Sequence, residues 1–333
     1  MTLSSLGDLS RSFMLRNQTT VLKADLERRS HEATTGRTSD AGRAVRGDFT
    51  PLNAIDTSLA RLDGHRDATT EAALLASSMQ TALGAVAESA TTLSTSMLAA
   101  ASPGNPTAID AVGRDARVRF GSAIATLNSR IGDRTIFAGS ATRSPALAPA
   151  EDILDALMLA AGGAGTAAGV EAAVSAWFDD PAGYAALGYR GGAPLDPQQI
   201  APGEQVVLDA TANDPAIRDT LKALALGALL DRGGLAGDTA QRAVLARRSG
   251  ETLLEGSTAR TELAARIGTS EGRITAAEAR NAAETTALHI TRLGIVAVDP
   301  YEAAAALTEA ETQLDTLYAI TARLARLNLA NYL

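Results

Sequence analysis

The sequence predicts a mainly α fold: an elongated rod of long, antiparallel, coiled-coil-like helices supplied by both chain ends, with a small mixed α/β insert in the middle. Three observations predict it. The chain is 46% hydrophobic but only 3% aromatic. The excess is Ala and Leu, which are strong helix formers, whereas strands favour β-branched and aromatic side chains. Apolar residues also recur at spacings of three and four over runs well beyond the about 8–20 residues of an ordinary globular helix. This periodicity holds at both ends and lapses between about residues 140 and 212, where Gly, Pro and turn signals gather.

The elements follow in order. A weak stripe of Leu6, Leu9, Phe13, Leu22 and Leu26 leads into the turn-prone "TTGRTSDAG". Thr50 and Pro51 read as an N-cap and a first-turn proline. Leu52, Ile55, Leu59 and Leu62 start a stripe that continues through Leu75, Met79, Ala82, Val86, Ala90, Leu93 and Met97, with no proline before Pro103. At 1.5 Å per residue such a helix is roughly 70 Å long. After the turn "ASPGNPTAID", Thr107 and Asp110 read as a capping box. A returning helix carries Ile109, Val112, Ala116, Phe120, Ile124, Leu127 and Ile131 on one side.

The middle holds the sole tryptophan, Trp177, and the strand-like "GEQVVLDA" among the turns "DDPAGY", "YRGGAPLDPQQ" and "ATANDP". Asp214 and Pro215 open a short helix with Ile217, Leu221, Leu224 and Ala228. A long helix then repeats every seven residues at Leu253, Arg260, Ile267, Ile274, Asn281, Leu288 and Ile295, with Leu263, Ser270 and Ala277 half-way between. Arg260, Ser270 and Asn281 are polar seam residues, which cost stability but fix register and partner. The last helix starts at "VDPYE", with Asp299 as N-cap, Pro300 at N1 and Glu302 at N3.

The chemistry is sparse. A net charge of −8 with no long basic run argues against nucleic acid. It also leaves no cationic face for an anionic membrane. With no cysteine, disulfides, Cys-ligated metals and thiol catalysis are excluded. The first residues lack a basic segment followed by an apolar core, so no Sec signal peptide is expected, and no run of about 18 apolar residues suggests a membrane span. His31, His65 and His289 are far apart and read as solvated helix-surface residues; "GGAGTAAG" reads as an Ala/Gly loop. No catalytic residue, cofactor or metal site is expected.

The candidate site is instead a surface for assembly. Its residues are Leu6, Leu9, Phe13, Leu22 and Leu26 on the first helix, and Leu307, Leu314, Leu317, Ile320, Leu324, Leu327, Tyr332 and Leu333 on the last. Each Leu buried there contributes roughly 1.5–3 kcal/mol. A bare stripe of this kind is an aggregation liability, so a partner surface is implied.

Three segments resemble a known family. In "LERRSHEATTGRTSDAGRAV", Leu26, Glu27, Thr35, Gly36, Arg37, Asp40 and Gly42 resemble the N-terminal signature of the flagellin-like superfamily. "RIGTSEGRI" (266–274) resembles a segment before the C-terminal helix. The run "GIVAVDPYEAAAALTEAETQLDTLYAITARLARLNLANYL" resembles the C-terminal helix itself, through Asp299, Ala303, Leu307, Gln313, Leu314, Ala322 and Leu327. The ending "LNLANYL" and the run "TIFAGSATRSPAL" favour the branch of hook-associated protein 3, the hook–filament junction proteins.

The resemblance covers roughly the first 145 and last 85 residues. It implies a non-enzymatic structural subunit of the bacterial flagellum, exported by the flagellar type III pathway without a cleaved signal. Copies would form a ring between hook-associated protein 1 and flagellin, and a cytoplasmic export chaperone would hold the C-terminal helix. Residues 1–45 and 290–333 would form an inner assembly tube, 46–140 and 213–289 the rod, and 141–212 an outer, loop-rich insert. Two alternatives remain at this stage: a minor or divergent flagellin that forms the filament itself, and a secreted, non-flagellar coiled-coil effector.

Overall fold

The computed structural model describes residues 3–102 and 105–330, with side chains over 10–102 and 105–324. Long helices dominate, and the described strands form only two short antiparallel pairs, as a mainly α chain requires. The chain divides into two compact units, residues 1–62 with 282–333, and residues 63–281.

In the first unit, α1 (Leu3–Thr35) packs antiparallel against α10 (Pro300–Ala330). Between α1 and the start of α3 (Thr50–Ala101) lies the single turn α2 (Ala41–Ala44). The start of α3 differs from the expectation. Thr50 is already helical, and the capping acceptor is the Asp48 carboxylate, which takes the Thr50 N–H at 3.0 Å. Hydrogen bonds from the Thr50 hydroxyl and N–H hold Asp48 below the usual carboxylate range. At α10 the expected cap is present: Asp299 accepts from the N–H groups of Tyr301 (2.7 Å) and Glu302 (3.2 Å).

The second unit is a helical bundle. α3, α4 (Pro106–Leu127), α7 (Pro215–Ala228) and α8 (Thr239–Glu255) surround a core of Met79, Leu93, Met97, Ile109, Phe120, Leu221, Leu224 and Leu245. The predicted α3 stripe from Leu75 to Met97 is buried at every named position. Gly227 lets helices meet closely: a Cβ there would lie 2.5 Å from Met97 Cε and 2.9 Å from Ala116 Cβ. Helix α5 (Ala150–Ala161), helix α6 (Ala167–Asp179) and a π-helical turn at Tyr184–Gly188 make up much of the middle segment. There Trp177, Phe178 and Tyr184 form an aromatic cluster. The buried Tyr184 hydroxyl donates to the Ala212 carbonyl at 2.6 Å, and burial pushes its phenol well above the ordinary value.

Four local readings are corrected. The cap of α4 is Asn105, which accepts from the Thr107 N–H; Pro106 takes N1 because it has no donor to lose. Asp110 instead pairs with Arg242 at 2.8 Å. Ile131 is not helical: α4 ends at Leu127, and Ile131 belongs to a hairpin of β1 (Arg130–Ile131) and β2 (Arg134–Thr135). Its turn places Gly132 at φ +59, as a Gly-first hairpin turn requires.

The seven-residue repeat is also not one helix. Leu253 lies in α8, which stops at Gly256 before α9 (Ser257–Val296) begins. Arg260 fits this break. Its guanidinium donates to the Leu253 carbonyl at 2.8 Å, so a cation sits on the carbonyl-rich end of α8. Finally, His65 is buried rather than solvated, whereas His31 and His289 are exposed.

The remaining polar seam residues of α9 hold a second hairpin, β3 (Gln198–Ala201) with β4 (Glu204–Val206). Buried Asn281 donates to the Ile200 carbonyl at 2.9 Å, Ser270 to Val207 at 2.9 Å, and Arg273 to Gln205 at 2.7 Å. Arg280 also pairs with Glu204. The register that polar seam residues were expected to fix is thus set against main-chain carbonyls of the hairpin.

Candidate assembly surface

The paired terminal helices are joined at one end by a short main-chain clip. Gly36 closes α1 in the left-handed region (φ +66), and its N–H donates to the Glu32 carbonyl at 2.9 Å. The chain can then run beside the link between α9 and α10. Thr38 N–H donates to the Val296 carbonyl at 2.8 Å and Val298 N–H to the Gly36 carbonyl at 3.0 Å, around the isolated bridge of Arg37 with Ala297. Buried Glu32 accepts the Ser39 N–H at 2.9 Å, so its carboxylate holds the turn. These bonds fix where α1 ends and α10 begins, and so set the register of the two helices.

From the clip outward, α10 buries a narrow face. Ala303, Ala310, Leu314 and Leu317 are buried, while Leu307 and Leu324 are half-buried. On α1, Leu22 and Leu26 are half-buried. Leu22, Leu317 and Ile320 line one cavity of ≈ 320 Å³ together with Gln18, Thr312, Gln313 and Thr316. Small residues at two of the four buried α10 positions allow a close approach there, and the polar cavity wall shows that the pair does not seal. Ile320 stays 46% exposed and Phe13 73% exposed.

The structure thus brings Leu22, Leu26, Leu307, Leu314, Leu317 and Leu324 to the pairing of the two helices and leaves Phe13 outside it. Leu6, Leu9 and Leu327 lie on helical backbone, outside the described side chains, and Tyr332 and Leu333 lie outside the described residues.

Sequence reasoning missed several exposed apolar residues on the same helices: Met14, Val21, Tyr318 and, at 84% exposure, Tyr301. The signal was present, because each falls off the stripe that the helical period assigns to the intrachain partner. It also missed Ala303 as a buried contact, since an alanine scores weakly in any hydrophobic stripe. Among the described residues no cluster of His, Cys, Asp and Glu is placed to hold a metal ion. No helix among them is long and apolar enough to cross a membrane.

Residues 254–333, which contain the whole of α9 and of α10, match the family model of the bacterial flagellin C-terminal helical region. Among solved structures, a protein assigned as a flagellar hook-associated protein of Vibrio parahaemolyticus shares the fold at 13% identity and a TM-score of 0.53, over 74% of this chain and 98% of that one. FlgL of Bacillus cereus aligns at 16% identity and a TM-score of 0.47, over 71% of this chain and 100% of that one. No curated protein sequence matches the chain. The mainly α architecture of long helices is the one the sequence predicts, and it is the fold shared with the Vibrio protein.

Proposed function

We propose that this chain is a structural, non-enzymatic subunit of the bacterial flagellum, acting as an adaptor at the hook–filament junction. In this reading copies of the chain form a ring outside the cell, with hook-associated protein 1 on one side and flagellin on the other. Residues 1–45 and 290–333 supply its inner tube, 46–140 and 213–289 its rod, and 141–212 its outer face. The chain leaves by the flagellar type III route, with a cytoplasmic chaperone covering α10 until export.

The observation that carries the proposal is the flagellin-type C-terminal region, whose last helix pairs with α1 and still leaves Phe13, Val21, Tyr301 and Ile320 facing outward. Apolar side chains held outward on two registered helices suit packing between subunits. Deleting the gene tests the proposal. Cells are expected to keep their hooks and lose flagellin into the medium; normal filaments in the deletion strain would contradict it.

The flagellin family match itself favours a second reading, a divergent flagellin. Purified chain that seeds long homopolymers supports that reading, whereas growth that stops after a single turn supports the adaptor.

A further inference from the structure

A groove of ≈ 240 Å³ opens on the unit of residues 63–281 where α3, α7 and α9 meet. Its floor is apolar and buried: Leu83 and Val86 on α3, Ile217 on α7 and Leu263 on α9. Gly84 keeps it open, since a Cβ there would meet nothing within 4 Å. Of the described residues that line the groove, Arg260 alone carries a charge.

That charge is poorly compensated. Burial strips water from the Arg260 guanidinium and lowers its pKa, with no neighbouring carboxylate to raise it. An arginine does not give up its proton in a protein, so the cation persists. Nη2 donates to the Leu253 carbonyl at 2.8 Å, and Nη1 reaches the Thr220 hydroxyl only at 3.4 Å. Thr220 donates its own proton to the Ala216 carbonyl at 2.7 Å and so offers the cation a neutral oxygen. The other half-buried arginines of this unit, Arg117, Arg119, Arg134, Arg218, Arg232 and Arg242, each face a carboxylate. Among the described residues of the unit, Arg260 is the exception.

Cation and groove select the same kind of ligand. A partly desolvated guanidinium with N–H groups still to offer suits the two oxygens of a carboxylate. The apolar floor beside it favours a hydrocarbon body, by about 0.8 kcal/mol for each CH₂ it covers. The volume lies below the about 300–1,000 Å³ of pockets that take drug-sized molecules, so the body is short.

We infer that the groove between α3, α7 and α9 is a binding site for a small amphiphilic carboxylate, its oxygens on Arg260 and its hydrocarbon chain along Leu83, Val86, Ile217 and Leu263. The site lies within one unit of one copy and is independent of the assembly proposed above. A bound acid ties α9 to α3 and α7, and it stabilises the bundle because the unfolded chain has no such site.

The test is NMR on the full chain labelled with ¹⁵N-arginine, titrated with hexanoate, acetate and hexylamine. Hexanoate is expected to shift one Nε–H resonance saturably, and Arg260→Gln, by removing that resonance, assigns it. Acetate, which keeps the carboxylate and lacks the chain, is expected to bind at least about tenfold more weakly. Hexylamine, which keeps the chain and reverses the charge, is expected to leave the resonance in place. Gly84→Leu fills the groove with Arg260 intact and is expected to weaken hexanoate at least about tenfold; its melting curve reports whether the fold survives. Calorimetry on Arg260→Gln is expected to show a similar loss. The inference is overturned if hexanoate gives no saturable shift of the Arg260 resonance, if acetate or hexylamine matches hexanoate, or if a folded Gly84→Leu chain binds hexanoate like the wild type. The acid series on the wild type decides the matter even where a variant fails to fold.

Discussion

Helices α7 and α10 are both rich in Ala and Leu, yet they are finished to different degrees. From Thr220 to Leu230, α7 and the turn after it bury every residue but Lys222, with Gly227 in contact distance of Met97, Ala116 and Ser249. Helix α10 buries one narrow face and leaves Tyr301, Tyr318 and Ile320 outward. Composition alone does not separate them. The difference lies in what surrounds each helix: α7 has α4, α6 and α8 against it, whereas α10 has α1. The unit of residues 63–281 completes its own core. The unit of residues 1–62 and 282–333 holds helices in register and leaves apolar surface to be covered by something else.

This contrast orders the expected effects of substitution. Phe120→Ala, at a fully buried core position, is expected to destabilise the chain by about 3–5 kcal/mol, read as a lower urea midpoint. A loss under 1 kcal/mol would mean that the bundle core is loosely packed. Gly227→Ala forces a Cβ into the space of Met97 and Ala116 and is expected to cost about 1–3 kcal/mol in the same assay. Asn281→Ala leaves the Ile200 carbonyl without its donor, at a cost of about 1–3 kcal/mol. Hydrogen exchange should then rise in residues 198–206 before it rises elsewhere.

The start of α3 should respond to acid. Asp48 titrates below its usual range in the folded chain, so its capping contribution is complete above about pH 4 and is lost as pH falls through that lowered value. The Thr50 amide resonance should report this fraying; in Asp48→Ala the same amide should show no such titration. The smallest effect on the monomer is expected at the terminal helices. Phe13→Ser should change the melting free energy by no more than about 0.5 kcal/mol. It should nevertheless weaken self-association, because Phe13 contributes to the surface rather than to a core.

The same contrast explains what could be read from the sequence. The α3 stripe was legible because a helix buried along one side repeats its apolar residues at the helical period, and every stripe position from Leu75 to Met97 is covered within the chain. The terminal helices were legible as helices, because Leu307, Leu314 and Leu317 follow the same rule. Three features were not. Asn281 and Ser270 look like flaws in a heptad because their acceptors lie 81 and 63 residues away on a hairpin. The break at Gly256 was hidden because Arg260 continues the repeat across it while capping the helix before it. Phe13, Val21 and Tyr301 fall off the stripe, and a stripe records only the contact made inside one copy.

The central claim is that the terminal unit is incomplete until copies meet. Amide hydrogen exchange on the monomer and on the assembled form tests it most directly. Residues 10–35 and 300–324 are expected to exchange quickly in the monomer and to become protected on assembly, while the bundle of residues 63–281 is protected in both. Strong protection of residues 300–324 in the monomer, equal to that of α7, would contradict the claim.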